Sequence, residues 1–350
     1  MKKIIISSIA LVAVFNSAFA GNEDRLGSAG ATQLLVNPWA RGAAMGDAGV
    51  SCTNGLDAQF VNIAGLAFVD KTQIKLDYTN WLGNSGIRFI SAGLAQKVGE
   101  TGAFAISIQS MSFGELNITT VENPEGGIGT FTPKVNIFNL GYAKSFSNSI
   151  FAGINMKVIS ESISNLRSNG VAFDAGIRYI TGERDEMKFG ITLKNVGPQM
   201  KAKGDGLATQ INYVSTGNIA SLEQRAAPYE MPSLLAMGVS YDFLINENNK
   251  LTAALGFTAN SFQKDQIKLG LDYGLVKNKK AAFNVRVGYI YEKNVFSTTD
   301  RTNALTGLTA GLSADILSGE KKNALGIQYN ARLSSPFGVI HTVGITMDLK

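Results

Sequence analysis

The feature that most constrains this chain is a two-residue alternation of apolar and polar side chains, recurring in segments of about ten residues. Leu251, Ala253, Leu255 and Phe257 alternate with Thr252, Ala254, Gly256 and Thr258. Ile267, Leu269, Leu271 and Tyr273 alternate with Lys268, Gly270, Asp272 and Gly274, and Phe283, Val285, Val287 and Tyr289 with Asn284, Arg286 and Gly288. The same period runs through 171–179 and 343–349. Successive side chains of a strand point to opposite faces, so each segment carries one apolar and one polar face. No segment after the N-terminus offers 18 uninterrupted apolar residues, which excludes a transmembrane helix there. A chain of this kind can still cross a membrane by closing a barrel, where every backbone group finds a partner.

Alternating segments lie near 72–79, 86–97, 102–113, 134–145, 149–160, 170–181 and 187–196, then 233–243, 250–258, 266–275, 281–291, 306–316, 323–333 and 339–349. That is about fourteen strands, an even number, as bacterial membrane barrels require. Taking the first strand as running outward, the odd connections are about 6, 20, 9, 36, 7, 14 and 6 residues and the even ones about 4, 3, 5, 6, 4 and 5, the asymmetry of long external loops over short periplasmic turns. The aromatics sort the same way. Tyr179, Phe243 and Tyr273 close inward-running strands, while Tyr78, Trp81, Phe113, Phe257, Tyr289 and Tyr291 close outward-running ones, as two girdles would. The expected fold class is therefore all-β: a transmembrane antiparallel barrel spanning 72–350, with long extracellular loops and outer-membrane lipid around its wall.

The N-terminus supplies an address. Met1-Lys2-Lys3 is basic, residues 4–15 form an apolar run, and Ala18-Phe19-Ala20 is an A-x-A cleavage site. Residues 1–20 read as a secretory signal peptide with cleavage before Gly21, too short to span a bilayer. No cysteine follows the site, so lipoprotein processing finds no support.

Composition narrows function. Charged residues make up 17% and hydrophobic ones 45%, which excludes a disordered chain. Removing Lys2 and Lys3 lowers the net charge from +5 to +3, too balanced for a nucleic-acid partner. The one cysteine, Cys52, cannot form an internal disulfide and is expected to pack as a small apolar residue. The one histidine, His341, begins the last strand on an inner or interfacial register and reads as structural. No phosphate loop, metal-ligand spacing or paired-carboxylate motif is present, so the expectation is a non-enzyme with no catalytic residues, no metal and no cofactor.

With the polar face inward, Lys75, Lys157, Arg178, Lys188, Lys194, Lys268, Arg286 and Arg332 share the lumen with Asp77, Asp174, Asp242, Asp272, Asp315 and Asp348. The two signs can pair, and no one-sign ring that would select ions is evident. Fourteen strands enclose more space than wall side chains fill. The candidate to occupy it is 21–71, whose small residues Gly42, Ala43, Ala44, Gly46, Ala48 and Gly49 suit close packing. This stretch reads as a hatch inserted into, or against, the periplasmic mouth; pairing as an extra edge of the barrel is the alternative. Glycine, 38 of 350 residues, then has a role. Gly153, Gly176, Gly190, Gly238, Gly270, Gly288 and Gly344 fall on inward faces, where the missing Cβ lets another backbone approach. The hatch is expected to contact them.

Gly30-Ala31-x-x-Leu34-Leu35, Ala40-Arg41-x-x-x-Met45-Gly46-Asp47-Ala48-Gly49-Val50 and Asn62-x-Ala64-Gly65-Leu66-Ala67 resemble the PorV/PorQ family of outer-membrane barrels, related to the FadL-like long-chain fatty acid transporters. Ile63 stands where that family usually has proline, which predicts a looser or shifted turn. The resemblance implies a non-enzymatic role in the type IX secretion system of Bacteroidota, Gram-negative bacteria, beside the translocon or the surface-attachment machinery, engaging C-terminal signal domains of secreted cargo. The hatch motif residues are Leu34, Leu35, Ala40, Arg41, Met45, Gly46, Asn62, Ala64 and Gly65.

Two long loops are the candidate docking elements. One carries Glu115, Glu122 and Glu125 with Gly126-Gly127. The other, 197–232, carries Met200, Leu207, Ile211, Tyr213, Leu222, Tyr229 and Met231, and apolar residues in a long loop point to a protein partner or to a lid folded over the lumen. The competing function is FadL-like uptake of hydrophobic small molecules, with a lipid or fatty acid as ligand. The polar inner face opposes a greasy conduit, although Leu34, Leu35, Val36, Trp39 and Met45 can line a small pocket.

Overall fold

The computed structural model describes residues 23–83, 85–213, 218–277, 280–297, 299–318 and 323–350, so the signal-peptide segment lies outside the described residues. Fourteen long antiparallel strands form the wall. The first seven are β1 (Thr72–Trp81), β2 (Ile87–Val98), β3 (Gly102–Ser112), β4 (Lys134–Ser145), β5 (Ile150–Ile163), β6 (Leu166–Thr181) and β7 (Met187–Val196). The rest are β8 (Leu234–Asn246), β9 (Asn249–Asn260), β10 (Gln266–Lys277), β11 (Ala281–Glu292), β12 (Gly307–Ser318), β13 (Asn323–Ser334) and β14 (Gly338–Leu349). Each pairs with its chain neighbours, and β1 closes the ring on β14 from Thr72↔Leu349 to Asn80↔His341. Closure leaves no edge unpaired, the condition for a sheet in lipid.

The alternation sets the two surfaces. In β14, Val343, Ile345 and Met347 are exposed on the outer wall while Thr342, Gly344 and Thr346 are buried inside. The predicted lumen charges Lys75, Lys157, Arg178, Asp77 and Asp174 are buried, each less than 4% exposed. Most of them pair: Lys157–Asp174 at 2.7 Å, Arg286–Asp272 at 3.0 Å, and Lys188 with Asp242.

Three expectations for the wall need correction. Residues 161–169 are not a nine-residue loop. The strands continue to Ile163 and Leu166 and turn at Ser164, a left-handed residue at φ 49°. Trp81 does not join an outer girdle but keeps the inward register of Lys75, Asp77 and Thr79, and is buried. His341 is likewise outward rather than inner, exposed and bonded to Tyr329 Oη at 2.7 Å.

Residues 23–71 occupy the lumen, and the hatch is not confined to the periplasmic mouth. Ala31, Leu34 and Val36 pack at the long-loop end against Trp81, Phe89, Met111 and Ile340. The chain then forms a short helix, α1 (Ala40–Ala44), beside β12 and β13. A second helix, α2 (Ala58–Val61), leads to the 3-10 turn Ile63–Phe68 beside β4, β5 and β6. Leu56, Leu66 and Val69 pack on Ala95, Ala103 and Ala143 at the short-turn end, where the chain enters β1.

Candidate functional site: a filled lumen and a long outer loop

The hatch motif is a set of contacts to the wall. At the start of α1, the Ala40 and Gly42 amides donate to Asp77 Oδ2 (3.0 Å) and Asp57 Oδ1 (3.1 Å), and Lys75 Nζ lies 2.6 Å from Asp57 Oδ2. Arg41 reaches Asp315 at 2.6 Å on β12, and Asp47 receives Arg332 of β13 at 3.0 Å. Three ion pairs thus tie hatch to wall, and Lys75–Asp57 is almost wholly buried. Removing one partner of such a pair leaves an uncompensated charge.

The inward glycines are the floor on which the hatch lies. A Cβ on Gly270 would come 2.9 Å from Met45 O, and one on Gly288 would meet the Gly46 nitrogen. Cβ atoms on Gly190 and Gly238 would meet Val50, one on Gly176 would meet Asn62, and one on Gly153 would come 3.1 Å from Ile63 Cγ1. Gly344 departs from the expectation, because it faces Asp77 of the neighbouring strand and not the hatch.

Asn62 explains its motif. Its Oδ1 accepts from the Ala64 amide at 3.1 Å, capping the 3-10 turn, while Nδ2 donates to Val50 O at 2.8 Å and Ile177 O at 3.1 Å. Ile63 is the first residue of that turn. A first helical residue has no intrahelical use for its N–H, so proline and isoleucine are both accommodated there. The Ile63 side chain fills the hollow left by Gly141 and Gly153. Ala64 packs with Phe151 and Ile180, and Gly65 passes against Thr53 O and Arg178. Leu34 is buried and Leu35 half-buried.

The long loop 197–233 divides into a base and a tip. At the base, Met200 and Met231 are buried in the outer core cluster, and Met200 and Tyr229 exchange two backbone hydrogen bonds of 2.9 Å. Tyr229 Oη donates to Glu161 at 2.7 Å, and its ring lies over Gly30, where a Cβ would collide with it. Burial first, and then the Glu161 carboxylate, lift the Tyr229 phenol to about 12, so it remains a donor. Gly30 N donates to Glu230 O at 3.0 Å, and Arg25 pairs with Glu230 at 2.8 Å. These base residues fold over the lumen as a lid, with Met200 and Met231 buried and Tyr229 and Glu230 half-buried.

The tip is a hairpin of Ala208–Tyr213 and Asn218–Glu223, a two-stranded sheet of its own. Ile211, Ile219 and Leu222 are exposed there, while Leu207 is half-buried at its foot; Tyr213 ends the first strand. Sequence reasoning missed Glu161, which bonds both Tyr229 and Gln33. The signal was present: inward Ile159 and Glu161 continue the alternation past residue 160.

Between the hatch, the wall and the connection carrying Asn303 and Leu305 lies a cavity of about 420 Å³. Leu35, Val36, Trp81, Met111 and Phe113 form an apolar side; Lys194, Lys268 and Gln266 form a polar one. Lys194 Nζ sits 3.7 Å over the Phe60 ring. Leu34, Trp39 and Met45 do not line it. Cys52 packs beside Met45, Ala48 and Ala254. Among the described residues, no group of three or more His, Cys, Asp or Glu is placed to hold a metal ion.

Solved structures with this architecture include the CymD monoaromatic hydrocarbon channel (TM-score 0.54, 12% identity, covering 90% of this chain and 97% of that one). A TodX deltaS2S3 mutant monoaromatic hydrocarbon channel gives a TM-score of 0.57 at 12% identity over 89% and 98%. A Pseudomonas aeruginosa FadL homologue gives 0.52 at 14% identity over 90% and 98%. At these identities the likeness shows the FadL-like fold alone. No curated protein matches the chain in sequence. The family model described as "Type IX secretion system protein PorV" matches residues 19–262, which take in the hatch, the inward glycines from Gly153 to Gly238 and the long loop 197–233, and the chain belongs to the PorV family.

Proposed function

We propose that this protein is a non-enzymatic accessory subunit of type IX secretion that docks protein partners on its outer surface while its lumen stays shut. The barrel fold and the family point to the outer membrane and to involvement in type IX secretion. The observation that carries the docking role is the outer hairpin 208–223. Its two strands have open edges, and Ile211, Ile219 and Leu222 stand exposed on a lid that is itself pinned down by Met200 and Tyr229. An open edge offers unpaired backbone groups to an extended segment of a partner, and exposed apolar side chains add selectivity. The translocon, the attachment machinery and cargo C-terminal signal domains are the partners that the family membership suggests. Residues 1–20 would export the chain, 21–71 would act as the hatch and 72–350 as the barrel.

Deleting 205–224, which spares Met200 and Tyr229, should leave barrel insertion intact. Affinity purification from detergent followed by protein mass spectrometry should then lose the type IX partners that the full chain captures. Unchanged co-purification removes the hairpin from the reading.

One observation favours a second reading. The 420 Å³ cavity joins an apolar side to buried Lys194 and half-buried Lys268, and two solved structures of this fold are named as monoaromatic hydrocarbon channels. Uptake of a hydrophobic molecule predicts lipid or fatty acid in the same purification, detected by lipid mass spectrometry, and its loss on Trp81→Ala.

A further inference from the structure

The outer wall differs around its long-loop lip. On one side, a cross-strand register row runs from Asn80 of β1 to Arg88 of β2, Ser112 of β3 and Lys134 of β4. It continues through Ser162 of β5 to Arg167 of β6 and on to Lys203 in the short strand Ala202–Lys203. All four cations of this row are exposed, and their side chains fall on the outward register. Neighbouring strands lie about 4.8 Å apart, which spaces Arg88, Lys134 and Arg167 at about 10 Å intervals. Among the described residues, none of the four has a carboxylate within ion-pair distance.

Two residues nearer the membrane centre, the outward row on the same strands is Ser110, Asn136, Ser160 and Asn169, with Ser110 Oγ donating to Asn136 Oδ1 at 2.8 Å. Two residues further on it is Ile108, Phe138, Val158 and Val171. The surface therefore grades from apolar to amide and hydroxyl to cationic. Across the barrel, the paired outward residues near the lip are instead Leu193 with Leu235 and Ile267 with Tyr291, and the nearby Arg25 is already paired with Glu230 at 2.8 Å.

We propose that the β2–β6 side of the outer lip binds a phosphate-bearing lipid of the outer leaflet. Acyl chains would lie on the apolar strip, ester, amide or sugar groups would bond the Ser and Asn row, and the phosphates would sit among Arg88, Lys134 and Arg167. Arginine and lysine side chains that stand unpaired beside an anionic surface supply the complementary charge. The opposite lip, apolar at Leu193, Leu235, Ile267 and Tyr291 and with Arg25 already paired to Glu230, would hold such lipid less well. The inference rests on the barrel and its orientation and does not depend on the docking reading.

The full chain in phosphatidylcholine nanodiscs is titrated with bisphosphorylated lipid A and with a phosphate-free glycolipid of the same acyl chains. Each cation contributes about fivefold at an anionic surface, so R88Q/K134Q/R167Q should bind lipid A about 100-fold more weakly and each single variant about fivefold. K144Q, an exposed outward lysine at the opposite end of β4, should bind as wild type. The single variants decide the matter should the triple variant fail to insert. Wild type binding both lipids equally, or Arg88 and Lys134 variants binding lipid A as tightly as wild type, overturns the proposal.

Discussion

Gly288→Val probes the fit between hatch and wall. A Cβ at 288 would strike the Gly46 nitrogen and the Met45 carbonyl carbon and lie 2.6 Å from Met45 O. All three are backbone atoms, and Gly46 is itself held at φ +63°, so no side-chain rotation relieves the contact. Overpacking of this kind costs about 1–3 kcal/mol. At about 1.4 kcal/mol per factor of ten, the hatch should open about 5- to 150-fold more often. Hydrogen exchange of the detergent-solubilised barrel reads this directly, since local opening sets amide protection. The reporters are the Ala43, Gly46 and Thr53 amides, bonded at 3.0, 3.0 and 2.9 Å within the hatch. Their protection should fall by that factor while the β1–β3 amides keep theirs. Gly129→Ala is the control, because its Cβ meets only Ile118 Cδ1 at 3.5 Å. Hatch protection within twofold of wild type in Gly288→Val, or an equal loss in Gly129→Ala, refutes the reasoning.

Asp57→Ala leaves Lys75 buried beside Asp77 alone, and should cost about 3–5 kcal/mol, read as a lowered denaturant midpoint; Asp57→Asn with Lys75→Met should recover most of it. Tyr229→Phe strips Glu161 Oε2 of its donor, leaving only Gln33 on Oε1, and should destabilise the lid by about 1–3 kcal/mol, seen as faster exchange at 198–201 and 229–232. The phenol, lifted by burial, keeps its proton below about 12, so lid protection, corrected for intrinsic exchange, should not fall between pH 7 and 9. Intact mass of the protein purified from membranes should begin at Gly21; a chain retaining residues 1–20 contradicts the export reading.

The wall was legible because a two-residue period is a local property, and every strand in lipid must show it on its outer face. The ends of β5 and β6 escaped for a physical reason. Ser160 and Ser162 face outward where the wall leaves the hydrocarbon, so the apolar half of the pattern stops while the backbone pairing does not. Trp81 was misplaced because an aromatic at a strand end suits a girdle and a buried outer core equally, and only register separates them. The hatch motif was visible as spacing, but its meaning lay in distant partners. Arg41 answers Asp315 and Asp47 answers Arg332, pairs far apart in the chain. The long loop 197–233 looks uniform in sequence because apolar residues at its base and tip are alike. What separates Met200 from Ile211 is the opposing surface, including Gly170, which leaves the room that Met200 fills.

The central claim is that the protein works from its outer surface with the lumen closed, and a covalently locked hatch tests it. A Cβ at Gly270 stands 3.1 Å from Ala48 Cβ and 2.9 Å from Met45 O, so the hatch must lift by a few tenths of an ångström, which brings the pair toward the separation of about 3.5–4.5 Å that a disulfide spans. Ala48→Cys with Gly270→Cys, in a Cys52→Ser background, can therefore be oxidised to bind hatch to wall. Export of type IX cargo by cells carrying this variant is then compared with and without reductant. Equal export in the oxidised and reduced forms is the predicted result. Export lost on oxidation and restored by reduction would mean that the hatch must move, and would contradict the account.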